Sequence, residues 1–425
     1  MLETLKNAWK VKEIRNKILY TLLIIVIFRI GSVIPVPYIN PNMIASATSD
    51  NSFFSYLSIL TGGGLEYGAI FAMSITPYIN ASIIIQLLCV AIPYLERLSK
   101  EGEEGQKKLA TITRYTTVIL ALIQGVAYFF YLKASNCLSV TKGIWFAGIV
   151  IVLTFAAGSA VVMWLGEQID VKGIGNGISI LLFAGILSRG PVAFQALLFY
   201  WKDQKQYFAV IGIVIAFLAI IAFIVWMTHA ERRIPVQYAK RVVGNKMYGG
   251  QNTHIPIKVN MSGVMPVIFA SSILMLPTMI LSFTDTNMID LPFWKDAMAL
   301  FTTQGIFYAV IYFVMIIAFA YFYATIQFNP VEMANNLRKN GGAVPGIRPG
   351  KPTSDFISKI LSRITLMGAL FLSVIAILPI IVGNVGGINI SLGGTSVLIM
   401  VGVALDTVNN LESQMMMRHY KGFLD

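Results

Sequence analysis

Charge is scarce in this chain: Asp, Glu, Lys and Arg make up 12% of its 425 residues, where a soluble domain carries about a quarter. Cysteine is nearly absent too. Cys89 and Cys137 lie in different regions with no CxxC, so neither metal nor redox chemistry is suggested. The three histidines, His229, His254 and His419, fall outside the apolar runs. There is no HExxH, no GxSxG, no P-loop and no Ser/His or paired-Asp site within an apolar run, so an enzyme is not expected and no cofactor is implied. Strict period-2 alternation in short segments is also missing, which argues against a transmembrane β-barrel. The centres of the apolar runs are almost bare of charge, with Arg29, Asp406 and Glu412 toward their ends. Ion-coupled transporters usually place ionisable groups there.

What the chain has in abundance is apolar length. Hydrophobic residues make up 56%, gathered into ten stretches at about 17–34, 69–95, 113–132, 144–165, 177–199, 207–228, 263–283, 305–326, 364–382 and 395–411. A hydrocarbon core about 30 Å thick takes about 20 helical residues to span, and backbone in lipid must satisfy its hydrogen bonds internally. The expected fold class is therefore an all-α polytopic membrane protein with ten transmembrane helices. Arg189, Gly190 and Pro191 interrupt the fifth. Of the 32 Lys and Arg, 25 fall in the N-terminus, the even-numbered gaps and the C-terminal tail, which places both termini in the cytoplasm. The first span is not expected to be a cleaved signal peptide: a charged amphipathic lead precedes it and Pro35 and Pro37 follow.

Polar but neutral side chains sit at selected points in the spans: Asn80, Ser82 and Gln86 in the second, Gln124 in the third, Ser271 and Ser272 in the seventh. They serve as ordinary helix–helix glue, or as the modest contacts of a wall that opens intermittently. Between the first two spans, residues 53–60 (FFSYLSIL) are apolar but too short to cross, and Gly62-Gly63-Gly64 follows. That reads as a re-entrant element beside a cavity, since irregular backbone at membrane depth must be buried in protein or line one. The alternative is a helix lying on the outer leaflet.

Six strings resemble the SecY family, the central channel subunits of the bacterial protein-translocation machinery. They are residues 28–37 (FRIGSVIPVP), 77–88 (PYINASIIIQLL), Glu167-Gln168 with 173–180 (GIGNGISI), 253–260 (THIPIKVN), 344–350 (VPGIRPG) and 393–396 (GGTS). The likeness covers essentially the whole chain. It implies two inverted-topology halves, 1–200 with spans 1–5 and 201–425 with spans 6–10, around a central pore in the bacterial cytoplasmic membrane. It also implies a passive channel through which a SecA-like motor ATPase or a ribosome drives unfolded polypeptide, while signal peptides and apolar segments leave sideways into the lipid bilayer. SecE-like and SecG-like small membrane subunits are the implied partners.

Carried over by position, the pore ring is Ile79, Ile83, Leu182, Ile186, Ile273 and Ile399, with Leu182 in place of a more usual Ile. The plug is 53–65, with Phe53, Phe54, Tyr56, Leu57, Ile59 and Leu60 before the Gly62, Gly63 and Gly64 hinge. The lateral gate is lined by Ser82, Gln86, Gln124, Ser271 and Ser272. The long cytoplasmic loops 229–260 and 327–359 present Lys240, Arg241, Lys246 and Arg348 as docking cations for ribosomal RNA phosphates or motor carboxylates. A secondary transporter with a neutral coupling site and a membrane-embedded enzyme are the competing readings.

Overall fold

Helices dominate, and each expected span falls on one. The computed structural model describes residues 9–41, 43–44, 58, 61–139, 143–202, 207–238, 241–243, 246–248, 252–282, 306–386 and 394–421. In chain order the helices are α1 Lys12–Gly31, α2 Thr76–Ala91, α3 Pro93–Lys100, α4 Glu103–Ala134, α5 Ile144–Lys172, α6 Gly177–Leu187, α7 Gly190–Lys202 and α8 Tyr207–His229. They continue with α9 Met265–Ser282, α10 Ile306–Gln327, α11 Pro330–Lys339, α12 Lys351–Gly386 and α13 Gly394–Lys421. Among the described residues six helical segments are long and apolar enough to cross a membrane, or seven if the bent α2–α3 pair is one span. The first, seventh and tenth expected spans fall on α1, α9 and α13. On α1, Leu19, Leu22, Leu23, Val26 and Ile27 are exposed, an apolar outer surface suited to lipid.

Several boundaries differ from expectation for local reasons. The second span does not begin at Ala69: residues 69–75 form turns, and the helix starts at Thr76 with Pro77 in its first turn. It ends at Ala91, and α3 departs at 103°, because Pro93 has no N–H to continue the ladder. The fifth span is split into α6 and α7 at Ser188–Arg189. The ninth starts far earlier than expected, at Lys351. Its 36 residues reach about 54 Å, so its polar first turns project well past a hydrocarbon core.

Among the described residues there are also five short strands. They are β1 Glu231–Tyr238, β2 Arg241–Val243, β3 Lys246–Tyr248, β4 Asn252–Lys258 and β5 Gly342–Ala343. Only Ile234 and Val236 alternate inward on β1, too few to stand out in a charged loop. β1 pairs antiparallel with β4, from Glu231 opposite Lys258 to Gln237 opposite Asn252. Its other edge pairs with β5, Gln237 opposite Ala343 and Tyr238 opposite Gly342. A β2–β3 hairpin stands apart.

The backbone falls into two compact units. One lies within Met1–Val210, Ser272–Gly305 and Ile388–Asp425, the other within Ile211–Ser271 and Ile306–Gly387. In the first, α4 packs on α2 and α5, while α6 packs on α5 and α13. Val36, Leu65, Met73, Tyr128, Leu132 and Phe155 are buried in one cluster at an end of this unit. In the second, α10 lies along α12, Phe269 meets Phe319 edge-on at 6.0 Å, and Phe223 meets Phe371 at 5.3 Å.

Candidate functional site

The non-helical segment at 61–75 is held as firmly as a helix. Gly63 N donates to Ser58 O at 2.8 Å, Ala69 N to Gly64 O at 2.9 Å, and Ile70 N to Ile34 O at 3.0 Å. The Tyr128 hydroxyl, wholly buried, donates to Leu65 O at 3.2 Å. Small residues let the segment settle onto its supports. A Cβ on Gly31 of α1 would lie 2.2 Å from the Phe71 ring, and one on Gly158 of α5 would lie 2.1 Å from Ile70 O. Phe71 in turn stacks on Phe28 at 6.2 Å.

Gly62, Gly63 and Gly64 are all buried. Gly62 has φ +67° and Gly63 φ +90°, the left-handed region that glycine enters freely. Gly62 also has no spare volume: a Cβ would stand 2.6 Å from Arg29 Nη1, 2.7 Å from Gly185 O and 2.7 Å from Ser188 Oγ. In the structure the triple glycine forms a packed turn. The other plug residues, Phe53, Phe54, Tyr56, Leu57, Ile59 and Leu60, lie outside the described residues.

Around this turn sits a polar cluster that the sequence reading passed over. Arg29, at the end of α1, donates from Nη1 to Ser188 Oγ at 2.9 Å and to Gly62 O at 3.2 Å. Arg189 donates from Nη2 to both Ser58 Oγ and Glu66 Oε1 and forms an ion pair with Glu66. Ser58 Oγ donates to Glu66 Oε1 at 2.8 Å. The available signal was the charge itself, since an ionisable residue beside an apolar span needs a named partner.

The ring candidates divide by element. Ile83 on α2, Leu182 and Ile186 on α6, and Ile399 on α13 are buried, while Ile79 on α2 and Ile273 on α9 are half-buried. The α6–α13 packing brings the helices of Leu182, Ile186 and Ile399 side by side.

Of the gate residues, Ser82 and Gln86 sit one turn apart on α2, and Gln86 Nε2 donates to Ser82 Oγ at 3.4 Å. Gln124 is half-buried on α4, against which α2 packs. Ser271 on α9 is buried and donates to Ile268 O at 2.8 Å; Ser272 is half-buried.

The two long loops form one module. β1 from the first and β5 from the second share a sheet, and Ile234, Ile257 and Val344 cluster with Leu361 and Ile364 of α12. A second patch joins Val236, Leu337 and Ile357. Asn329 caps α11 by accepting from Val331 N at 3.1 Å and from Glu332 N. Arg348 stands exposed on the turn before α12, between Gly346 at φ +81° and Gly350 at φ +105°. Thr353 Oγ1 donates to its carbonyl at 2.9 Å, and its side chain has no ion pair among the described residues. Arg241 and Lys246 lie on the β2–β3 hairpin, Arg241 opposite Tyr248 and Lys246 opposite Val243. Lys240 lies outside the described residues.

The family model SecY matches residues 69–408, which takes in α2, the split fifth span and the loop module. The chain belongs to the SecY family. It is 45% identical, over the full length of both chains, to the protein translocase subunit SecY of Bacillus subtilis. It is 41% identical to that of Thermotoga maritima, covering 100% of this chain and 98% of the relative. The fold is also that of solved structures at much lower identity. One, described as a protein conducting channel, matches with a TM-score of 0.65 at 18% identity, over 94% of this chain and 92% of the other. Another is Sec61 in the canine ribosome-channel complex from the endoplasmic reticulum, with a TM-score of 0.61 at 16% identity, over 94% of this chain and 92% of the other. SecY membership makes this chain a multi-pass membrane protein and a channel subunit, not an enzyme.

Proposed function

We propose that this chain is the channel-forming subunit of a protein translocase in a bacterial cytoplasmic membrane. It passes unfolded polypeptide under the drive of a SecA-like motor or a ribosome, and works with SecE-like and SecG-like small subunits. The observation that carries the reading is the full-length likeness to translocase subunits, at 45% identity to one of them. The physical features agree. The apolar runs are nearly bare of charge at their centres, and a non-helical segment is buried against α1 and α5, as irregular backbone at membrane depth would require. A wall of isoleucine and leucine is a suitable neck, because it holds back water and ions by dewetting and binds no passing side chain.

On this reading both termini and the β1–β5 module face the cytoplasm, as the Lys and Arg distribution supports. Residues 1–200 and 201–425 form the two inverted halves. Ile79, Ile83, Leu182, Ile186, Ile273 and Ile399 constrict the pore, 53–65 plugs it from outside, and Ser82, Gln86, Gln124, Ser271 and Ser272 line the lateral exit. Arg348, with Lys240, Arg241 and Lys246, docks the motor or ribosome.

The deciding experiment is reconstitution in liposomes with the small subunits. Precursor protein import that requires the added motor and ATP supports the channel. Saturable flux of a small solute without protein import would establish a transporter instead.

A further inference from the structure

We propose that Arg29, Ser58, Glu66, Ser188 and Arg189 form a latch that holds the glycine turn at 62–64 in its closed seat, and so sets the resting ion-tightness of the channel. The inference rests on the channel reading above and adds to it a regulatory contact made of charged side chains.

The geometry makes two sets of contacts on the same turn. Arg29 comes from α1, Ser188 and Arg189 from the break between α6 and α7, and Ser58, Gly62 and Glu66 from the turn segment. Arg29 reaches the Gly62 carbonyl directly and is braced by the Ser188 hydroxyl, which itself stands 3.3 Å from the same carbonyl. Arg189 is paired with Glu66, and Ser58 bridges the two. The Arg189 side chain is 13% exposed and that of Glu66 31%, so the pair is largely desolvated yet not sealed from water.

That intermediate burial suits a releasable contact. A fully exposed pair would hold almost nothing. A fully buried one would leave an uncompensated charge on separation and scarcely open. Lifting the turn removes the Gly62 carbonyl from Arg29 and the Glu66 carboxylate from Arg189 together, so each guanidinium loses a partner at once and Arg29 keeps the Ser188 hydroxyl. Their mutual repulsion then no longer has Glu66 to offset it. Among the described residues Arg189 Nε is buried without a hydrogen-bond partner.

The test uses the full chain, reconstituted with its small subunits in planar bilayers, and compares resting conductance among Glu66→Gln, Arg189→Gln and the double variant. Motor-driven import of a precursor is measured on the same preparations. Each single variant is expected to raise resting conductance about tenfold while import continues. The double variant is expected to leak no more than the worse single, because both remove one shared interaction. Single variants as tight as the wild type would overturn the latch, as would leaks that multiply in the double variant, which mark two independent defects. If neither charge variant inserts at wild-type level, Ser188→Ala decides. It removes the brace on Arg29 without altering charge; a leak supports the latch and wild-type tightness overturns it. Failure of the wild type itself to import protein would count against the channel reading, a result separable from a tight variant that still imports.

Discussion

Two glycine-bearing turns look alike in the sequence and differ in the structure. At 62–64 and at 346–350 the chain places glycines with positive φ between longer elements. Gly62 is walled in by Arg29, Gly185 and Ser188, whereas a Cβ on Gly346 or Gly350 meets nothing within 4 Å. The first turn takes glycine for both conformation and space, the second for conformation alone. One is therefore a seat into which other elements lock. The other is a rigid, open platform that presents Arg348 outward. Glycine content marks each as a turn, and only the neighbours distinguish closure from display.

Substitutions at these turns test that distinction. The largest effect is expected for Gly62→Ala, which adds left-handed strain of about 1–2 kcal/mol to overpacking of about 1–3 kcal/mol. Thermal unfolding of the detergent-purified complex is expected to show a clear loss of stability. An unchanged melting temperature would mean that the turn yields without cost.

Gly63→Ala sharpens the comparison from inside the buried turn. Its Cβ would lie 3.5 Å from the Arg189 guanidinium carbon, an ordinary contact, so only the conformational strain of about 1–2 kcal/mol applies. Gly346→Ala is expected to cost a similar amount despite full exposure, measured in the same melts. If Gly63→Ala proves as damaging as Gly62→Ala, burial and not steric room separates the two turns.

The smallest stability effect is expected at Arg348. Arg348→Glu is expected to change stability by no more than about 0.5 kcal/mol, because the side chain is exposed and has no ion pair among the described residues. Motor-driven import is nevertheless expected to fall strongly. Arg348→Lys is expected to restore it only in part, since an ammonium lacks the bidentate fork. Normal import by the Glu variant, at equal membrane levels, would remove the docking role.

The sequence determined the things that solvent sets. Apolar runs long enough for a bilayer, with cations gathered in alternate gaps, located the long apolar helices but not the polar α11 or the bend into α3, because hydropathy and charge act residue by residue against lipid and water. The family strings likewise nominate the ring, gate and docking residues, which remain part of the proposal. Tertiary structure alone decided what depends on distant chain segments meeting. Gln237 pairs with Ala343 and turns two loops into one sheet, a contact that neither loop's composition announces. Arg29 and Arg189, charged exceptions in apolar surroundings, find Gly62 and Glu66 through packing of α1 and the α6–α7 break. The glycine turn is a seat because Gly185 and Ser188 close on it, and steric room is a property of neighbours in space that a linear sequence does not carry.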